Sequence, residues 1–121
     1  MTPELIKAVD LDNVRLLYDP ANTCRAVKET VPVRYQGWDL RRETEELLPF
    51  IAHVHIKNYH YDPSHEPKPF VHVSAGKGDI DFEPIFRLFE TDGYAGWCLL
   101  EPEVGYGETM ESMQWMKTLI A

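Results

Sequence analysis

The sequence predicts an α/β protein whose centre is a sheet of parallel strands. Three mostly apolar segments, residues 14–18, 51–57 and 97–101, have the length and composition of buried strands. Helical patterns lie between them, at residues 39–48 and 82–92. Strands that alternate with helices are typical of a parallel sheet covered by helices, because each connection must return from one end of the sheet to the other.

Prolines, glycines and capping residues predict the remaining elements. Residues 3–9 predict a helix, whereas residues 19–37 and 58–69 predict mostly loop, because each of these two stretches contains at least two prolines. The shorter predicted features are a helix cap at Asp39, a strand at 71–73, a turn at 76–79, a cap at Asp81, a helix stop at Gly93 and a final helix that begins at Thr109.

Composition is that of one globular domain over residues 1–121, with 44% hydrophobic and 26% charged residues. The net charge of -8 argues against a nucleic-acid partner, because binding to a phosphate backbone depends on Lys and Arg. No apolar run approaches the roughly 20 residues of a membrane span, so no membrane partner is expected. Cys24 and Cys98 are far apart in sequence, which predicts free thiols and a cytoplasmic location.

A polar residue that can bind a metal stands at or near the end of each clear strand. Asp19 follows the first strand, His55 lies near the end of the second, and Glu101 ends the third. Side chains alternate along a strand, so His55 shares a face with His53 and Lys57. Because active sites gather at the C-terminal ends of parallel strands, these ends predict a mixed carboxylate and imidazole site. Such a donor set suits Mn²⁺, Mg²⁺, Co²⁺ or Zn²⁺.

Each of these residues also has a purely structural interpretation. Asp19 precedes a proline and could only cap a turn, and His55 could be a hydrogen-bonded core histidine. Glu101 is the strongest candidate, since a carboxylate that ends an apolar strand needs a partner. Lys57 could bind substrate or lay its stem along apolar surface, and Asn22 could bind substrate or shape the turn. His53, deeper in its strand, is expected to pack inside.

Four sequence motifs carry a resemblance to a known family. The segments are LYDPAN at 17–22, HVHIKN at 53–58, GKGDIDF at 76–82, and GYAGW at 93–97 followed by LEPE at 100–103. In this order and spacing they resemble the xylose isomerase-like sugar phosphate isomerase/epimerase family. The family motif that corresponds to residues 53–58 ends in Asp, where this chain has Asn58. A changed contact beside the metal ligands is therefore expected.

The resemblance implies the C-terminal half of a TIM barrel, since a complete barrel takes roughly 200 residues or more. It also implies one divalent ion held by Glu, Asp, His and Glu at successive strand ends. Asp19, His55 and Glu101 correspond to the last three of these ligands. The first Glu of the pattern lies on a strand upstream of Met1 in the family and has no counterpart in this sequence.

The implied activity is isomerisation or epimerisation of a sugar or sugar phosphate through a metal-bound enediolate. In that reading Glu101 is one of a pair of proton-transferring glutamates, and Asn22 and Lys57 contact the substrate. Activity would then require a partner or an upstream half. A half barrel exposes sheet edges and an apolar face, so self-association, as a dimer, is expected.

Two other interpretations remain open. The chain could be a catalytically inactive truncated barrel, or a module that binds a metal or ligand without turnover. It could also be a relative of the metal-dependent abasic-site endonucleases, which share the barrel. The acidic charge disfavours this last alternative.

Overall fold

The computed structural model describes residues 3–30 and 39–120, with side chains throughout except at residues 26–30. Five helices are described: α1 (Pro3–Val9), α2 (Pro20–Thr30), α3 (Leu40–Leu47), α4 (Glu83–Thr91) and α5 (Tyr106–Ile120). Five strands are described as well: β1 (Leu16–Tyr18), β2 (Ile51–Ile56), β3 (Asn58–Tyr61), β4 (Phe70–Val73) and β5 (Trp97–Leu100). A short 3-10 turn, Leu48–Phe50, leads from α3 into β2.

The predicted parallel sheet is confirmed and has the strand order β1-β2-β5. Leu17 of β1 lies beside His53 of β2, which lies beside Trp97 of β5. One step further along, His55 pairs with Leu99. All three strands run in the same direction, so their C-terminal ends meet at one edge of the sheet.

One face of the sheet is covered by helices and forms the core. Val54 and Ile56 point to this face and are fully buried. Phe86 of α4 packs edge-on against Trp115 of α5, with ring centroids 6.4 Å apart. The apolar face of α4 supplies four buried residues, which explains why the sequence pattern of residues 82–92 is so regular.

The opposite face of the sheet carries large exposed side chains. Leu17 is 51% exposed, Trp97 69% and Leu99 41%. His53 lies on the same face and is exposed, so the expectation that it packs inside is wrong. The reason is the strand alternation: His53 stands between Leu17 and Trp97, and no described helix covers that face.

Two stretches predicted as loop contain regular structure. α2 begins at Pro20, directly after Asp19, whose Oδ1 accepts a hydrogen bond from Asn22 N at 2.9 Å. Asp followed by Pro is a helix-start signal, and here the proline opens the helix rather than breaking it. The expected loop residues Pro32 and Gly37 lie outside the described part of the chain.

The second stretch forms a β-hairpin instead of a long loop. β3 pairs antiparallel with β4, with Tyr59 opposite His72. The ring of Tyr59 meets that of Phe70 at a centroid distance of 4.8 Å. The strand predicted at 71–73 is therefore confirmed, while its partner β3 was missed.

Most predicted boundaries agree with the structure within a few residues. Asp39 caps α3 by accepting from Arg42 N at 2.8 Å, and Gly93, with a φ of 68°, follows α4. Asp81 accepts from Glu83 N at 3.0 Å, while Phe82 takes the cap position. Within residues 3–30 and 39–120, no helix combines the length and apolar character that crossing a membrane requires.

Candidate metal centre

Asp19, His55 and Glu101 meet at the C-terminal edge of the parallel sheet. Asp19 follows β1, His55 is the penultimate residue of β2, and Glu101 follows β5. One ligand atom from each lies within 4.8 Å of the other two. Among the described residues, this is the one group of three or more His, Cys, Asp or Glu side chains that are so close together.

The carboxylate of Asp19 is almost buried and is held in place by α2. Its Oδ1 accepts from the backbone of Asn22 at 2.9 Å, and its Oδ2 accepts from the Asn22 side chain at 2.6 Å. Asn22 in turn accepts from Arg25 at 3.0 Å. The start of α2 also carries a partial positive charge that favours a carboxylate there. Asp19 is therefore oriented before any ligand binds.

Lys57 lies between the carboxylates of the site, and its side chain is only 6% exposed. Its Nζ lies 2.6 Å from Glu101 Oε2 and 3.1 Å from Asp19 Oδ2. Burial opposes the charge of Lys57, but the hydrogen bonds to Glu101 and Asp19 outweigh it and raise the lysine pKa. The hydrogen bond from Lys57 lowers the pKa of Glu101, so that this side chain is a carboxylate at neutral pH.

His55 and Glu101 form the more open side of the centre. Nδ1 of His55 lies 3.4 Å from Oε2 of Glu101, and the Glu101 side chain is 43% exposed. A ligand can therefore reach Glu101 from solvent, whereas Asp19 and Lys57 are accessible mainly through the site itself.

Sequence reasoning missed two residues beside the centre, Glu103 and His72. Glu103 Oε1 lies 3.4 Å from Lys57 Nζ, and Glu103 Oε2 lies 2.9 Å from His72 Nε2. The spacing of Glu103, two residues after Glu101, was a usable signal. The position of His72 depends on the β3–β4 hairpin, which was not predicted. The histidines of the loop region that lie elsewhere are His60, beside Asp79, and His65, beside the Lys68 carbonyl.

Asn58 does not contact the candidate ligands, contrary to the expectation of a changed contact at the site. Its side chain is buried, and its Nδ2 donates to the carbonyls of Ala75 at 2.7 Å and Ile80 at 2.8 Å. Its Oδ1 accepts from Ile80 N at 3.1 Å. An Asp at this position would lose both donated bonds. Asn58 therefore holds the glycine-rich turn of residues 76–79 against β3.

The donor set fits a divalent cation. Two carboxylates and one imidazole suit Mn²⁺, Co²⁺ or Zn²⁺, and carboxylates alone also suit Mg²⁺. The ammonium of Lys57 already bridges two of the carboxylates, which shows that positive charge is stabilised at this point of the fold. Asp19, His55 and Glu101 are the residues that would hold the ion.

Comparisons with known proteins place this chain in one protein family. Residues 2–119 match the sequence pattern of a family described as xylose isomerase-like TIM barrel. An inosose dehydratase of Clostridium perfringens is 29% identical over 113 residues, which cover 84% of this chain and 36% of that protein. An inosose dehydratase of Yersinia enterocolitica is 34% identical over 70 residues, which cover 49% of this chain and 24% of that protein.

A solved structure shares the fold. The xylose isomerase domain protein from Planctomyces limnophilus superposes with a TM-score of 0.71 at 19% sequence identity, covering 96% of this chain and 39% of that one. This chain thus spans about a quarter to two fifths of the length of the proteins it matches. The parallel sheet corresponds to part of a barrel of this class.

Proposed function

Because the chain belongs to the xylose isomerase-like TIM barrel family, we propose that it supplies a divalent-cation site and a proton-transferring carboxylate to an enzyme that acts on a sugar or sugar-like substrate. The observation that carries the proposal is the convergence of Asp19, His55 and Glu101 within 4.8 Å. The substrate and the reaction belong to the proposal, since the chain covers only part of its relatives' length.

The reaction class follows from what the side chains of the site can do. When bound, a divalent ion supplies a Lewis acid for a carbonyl or hydroxyl oxygen. Glu101 is ionised and reachable from solvent, so it can accept a proton from the carbon beside such a carbonyl. Lys57 and Asn22 can each donate a hydrogen bond to a substrate oxygen. Asp19, fixed by Asn22, anchors the arrangement.

The first candidate activity is isomerisation or epimerisation of a sugar or sugar phosphate. Both reactions remove a proton beside a carbonyl and return one at a neighbouring or the same carbon. A second proton-transferring group is needed on the other face of the substrate, because among the three candidate ligands Glu101 is the one exposed carboxylate.

The second candidate activity is dehydration. It is favoured by the relatives, whose names describe them as inosose dehydratases. Loss of water from a hydroxy ketone begins with the same removal of a proton beside a carbonyl. Hydroxide then leaves from the next carbon instead of a proton returning. The two activities therefore share the role of Glu101 and differ in the fate of the intermediate.

Self-association is part of the proposal. The uncovered face of the sheet presents Leu17, Trp97 and Leu99, and β1 and β5 are the edges of the three-stranded sheet. Exposed apolar faces and unpaired parallel edges favour contact with another chain. A second copy of this chain offers the same face and edges, so we propose a homodimer that covers them.

Hydrogen exchange into the substrate tests the proton-transfer step directly. The chain is incubated with Mn²⁺ and either a ketose, a ketose phosphate or an inosose in D₂O, and NMR follows loss of the proton beside the carbonyl. Exchange should be fast with one substrate class and should fall by about 10²–10⁴-fold in Glu101→Gln, the usual effect of losing one acid–base group. Glu90→Gln, an exposed acid on α4, is the matched control.

The outcomes separate the alternatives. Exchange accompanied by formation of the epimer or the isomeric sugar supports the first candidate, and appearance of a dehydrated product supports the second candidate. Mn²⁺ binding without hydrogen exchange in any of the three substrates would indicate a binding module that has no turnover. Equal exchange in Glu101→Gln and in the wild type would contradict the role of Glu101.

A further inference from the structure

Lys57 places its ammonium between two of the three residues of the candidate metal centre. Nζ lies 3.1 Å from Asp19 Oδ2 and 2.6 Å from Glu101 Oε2. A divalent cation held by Asp19 and Glu101 would compete with the ammonium for the oxygen atoms of these two carboxylates. Two cations cannot share them at contact distance, because repulsion between like charges grows as they approach and is poorly screened at a buried position.

The ammonium of Lys57 has few alternative partners. Its side chain is 6% exposed, so moving the ammonium away from its partners without a new one would leave a buried, unpaired charge. Glu103 offers the nearest further acceptor, with Oε1 3.4 Å from Nζ. A short rotation at the end of the lysine side chain can therefore move the ammonium from Asp19 and Glu101 to Glu103.

His72 fixes Glu103 in the orientation that this exchange needs. Nε2 of His72 lies 2.9 Å from Oε2 of Glu103, which leaves Oε1 facing Lys57. A carboxylate only accepts hydrogen bonds, so Nε2 carries the proton and donates. Nδ1 of His72 is buried and has no hydrogen-bond partner in the described part of the chain.

We propose that Lys57 is an intramolecular competitor for the divalent cation, and that Glu103, fixed by His72, holds the ammonium when the cation takes Asp19 and Glu101. The inference rests on the metal centre of the proposed function. It adds that Lys57 and Glu103 set the affinity of this centre for the cation. Removing the ammonium should tighten metal binding. Removing the second acceptor should weaken it, because the ammonium then has no alternative partner.

Calorimetric titration of Mn²⁺ into the whole chain tests the proposal without any activity assay. Lys57→Met keeps the length of the stem and removes the charge, and it should tighten Mn²⁺ binding at least ten-fold. Lys77→Met is the matched control, because Lys77 pairs with Glu111 outside the centre, and its Mn²⁺ affinity should equal that of the wild type.

A double-mutant comparison separates competition from simple attraction. Glu103→Gln should weaken Mn²⁺ binding several-fold in the wild-type background and much less in the Lys57→Met background, since Glu103 acts through Lys57. If Glu103 only attracted Mn²⁺ by its charge, the loss would be as large or larger without Lys57. That result would overturn the proposal. Glu90→Gln provides the charge-matched control.

The remaining outcomes also decide between the inference and the proposed function. If Mn²⁺ binds the wild type and binding is lost in Asp19→Asn, but Lys57→Met binds no more tightly, only the inference fails. If neither the wild type nor Lys57→Met binds Mn²⁺, the metal centre itself is wrong. Should Lys57→Met fail to fold by circular dichroism, Lys57→Gln takes its place in both comparisons, and unchanged or weaker Mn²⁺ binding by Lys57→Gln would overturn the inference.

Discussion

The side chain of Asn58 occupies the space that a Cβ atom at position 78 would need. A Cβ built on Gly78 would lie far inside van der Waals contact with the Asn58 amide. The same amide donates to the carbonyls of Ala75 and Ile80, so it ties β3 to the turn before α4. Asn58 follows Lys57 directly, and this contact therefore fixes the backbone next to the lysine of the candidate metal centre.

Replacing the glycine should disturb this contact. Gly78→Ala is expected to reduce the free energy of unfolding by about 1–3 kcal/mol, as overpacking in a core does. Gly107→Ala is the matched control, because a Cβ there meets no atom within 4 Å and the position is helical. It should be neutral or stabilising by up to about 1 kcal/mol. Urea unfolding followed by circular dichroism measures both, and equal stability of the two variants would contradict the packing argument.

Replacing the amide by a carboxylate should also destabilise the chain, although Asp is the residue expected here from the resemblance. Asn58→Asp removes the two donated hydrogen bonds and faces a charge toward two carbonyl oxygens. The expected loss is about 1–3 kcal/mol, the cost of leaving a buried polar group without a partner. Asn13→Asp, in an exposed turn, is the control and should change stability little. Unchanged unfolding of Asn58→Asp would show that the turn tolerates the family residue.

The alkaline stability of the chain should depend on Tyr18. Thr44 donates its hydroxyl proton to the Leu40 carbonyl at 2.8 Å, so Tyr18 donates to Thr44 at 2.9 Å. Burial raises the pKa of the Tyr18 phenol above its ordinary value of about 10. Because the unfolded chain ionises first, the stability that this group contributes is complete below about pH 10 and declines as the pH rises further.

Tyr18→Phe therefore should cost about 0.5–1.5 kcal/mol at pH 7, the value of one hydrogen bond. The difference from the wild type should shrink above about pH 10. Urea unfolding at neutral and alkaline pH measures this, with Tyr106→Phe, an exposed tyrosine, as the control. A difference that stayed constant or grew with pH would be inconsistent with a raised phenol pKa.

Self-association should depend on the uncovered face of the sheet. Trp97→Gln removes the most exposed large side chain of this face, which is 69% exposed on the edge strand β5, and should weaken dimerisation at least about ten-fold. Tyr106→Gln removes an exposed aromatic residue of α5 instead and should leave the dimer unchanged. Sedimentation equilibrium measures the dissociation constants. A wild-type chain that is monomeric and well folded at all concentrations would contradict the proposed dimer.

The sequence predicts the parallel sheet because its strands are mostly apolar and differ clearly from the flanking helices. It does not predict α2, because Pro20 is a loop signal by itself and becomes a helix start only through the hydrogen bond that Asp19 accepts from Asn22. β3 was missed for another reason. Its alternating polar and aromatic residues become a strand only through pairing with β4, and such pairing is not encoded locally.

The sequence predicts those residues of the candidate site that lie at the ends of strands. Asp19, His55 and Glu101 follow from strand direction and side-chain alternation, and the structure brings them together. Glu103 and His72 approach the centre through a connecting loop and the hairpin, whose paths depend on tertiary packing. Lys57 was singled out as a substrate contact, but its pairing with two carboxylates could not be derived from sequence spacing.

Anomalous X-ray diffraction from crystals of the chain grown with Mn²⁺ tests the central claim most directly. We expect one strong peak at the C-terminal edge of the parallel sheet, with atoms of Asp19, His55 and Glu101 all about 2.0–2.6 Å away. A peak bounded by other residues, or no peak at saturating Mn²⁺, would contradict the assignment of this site.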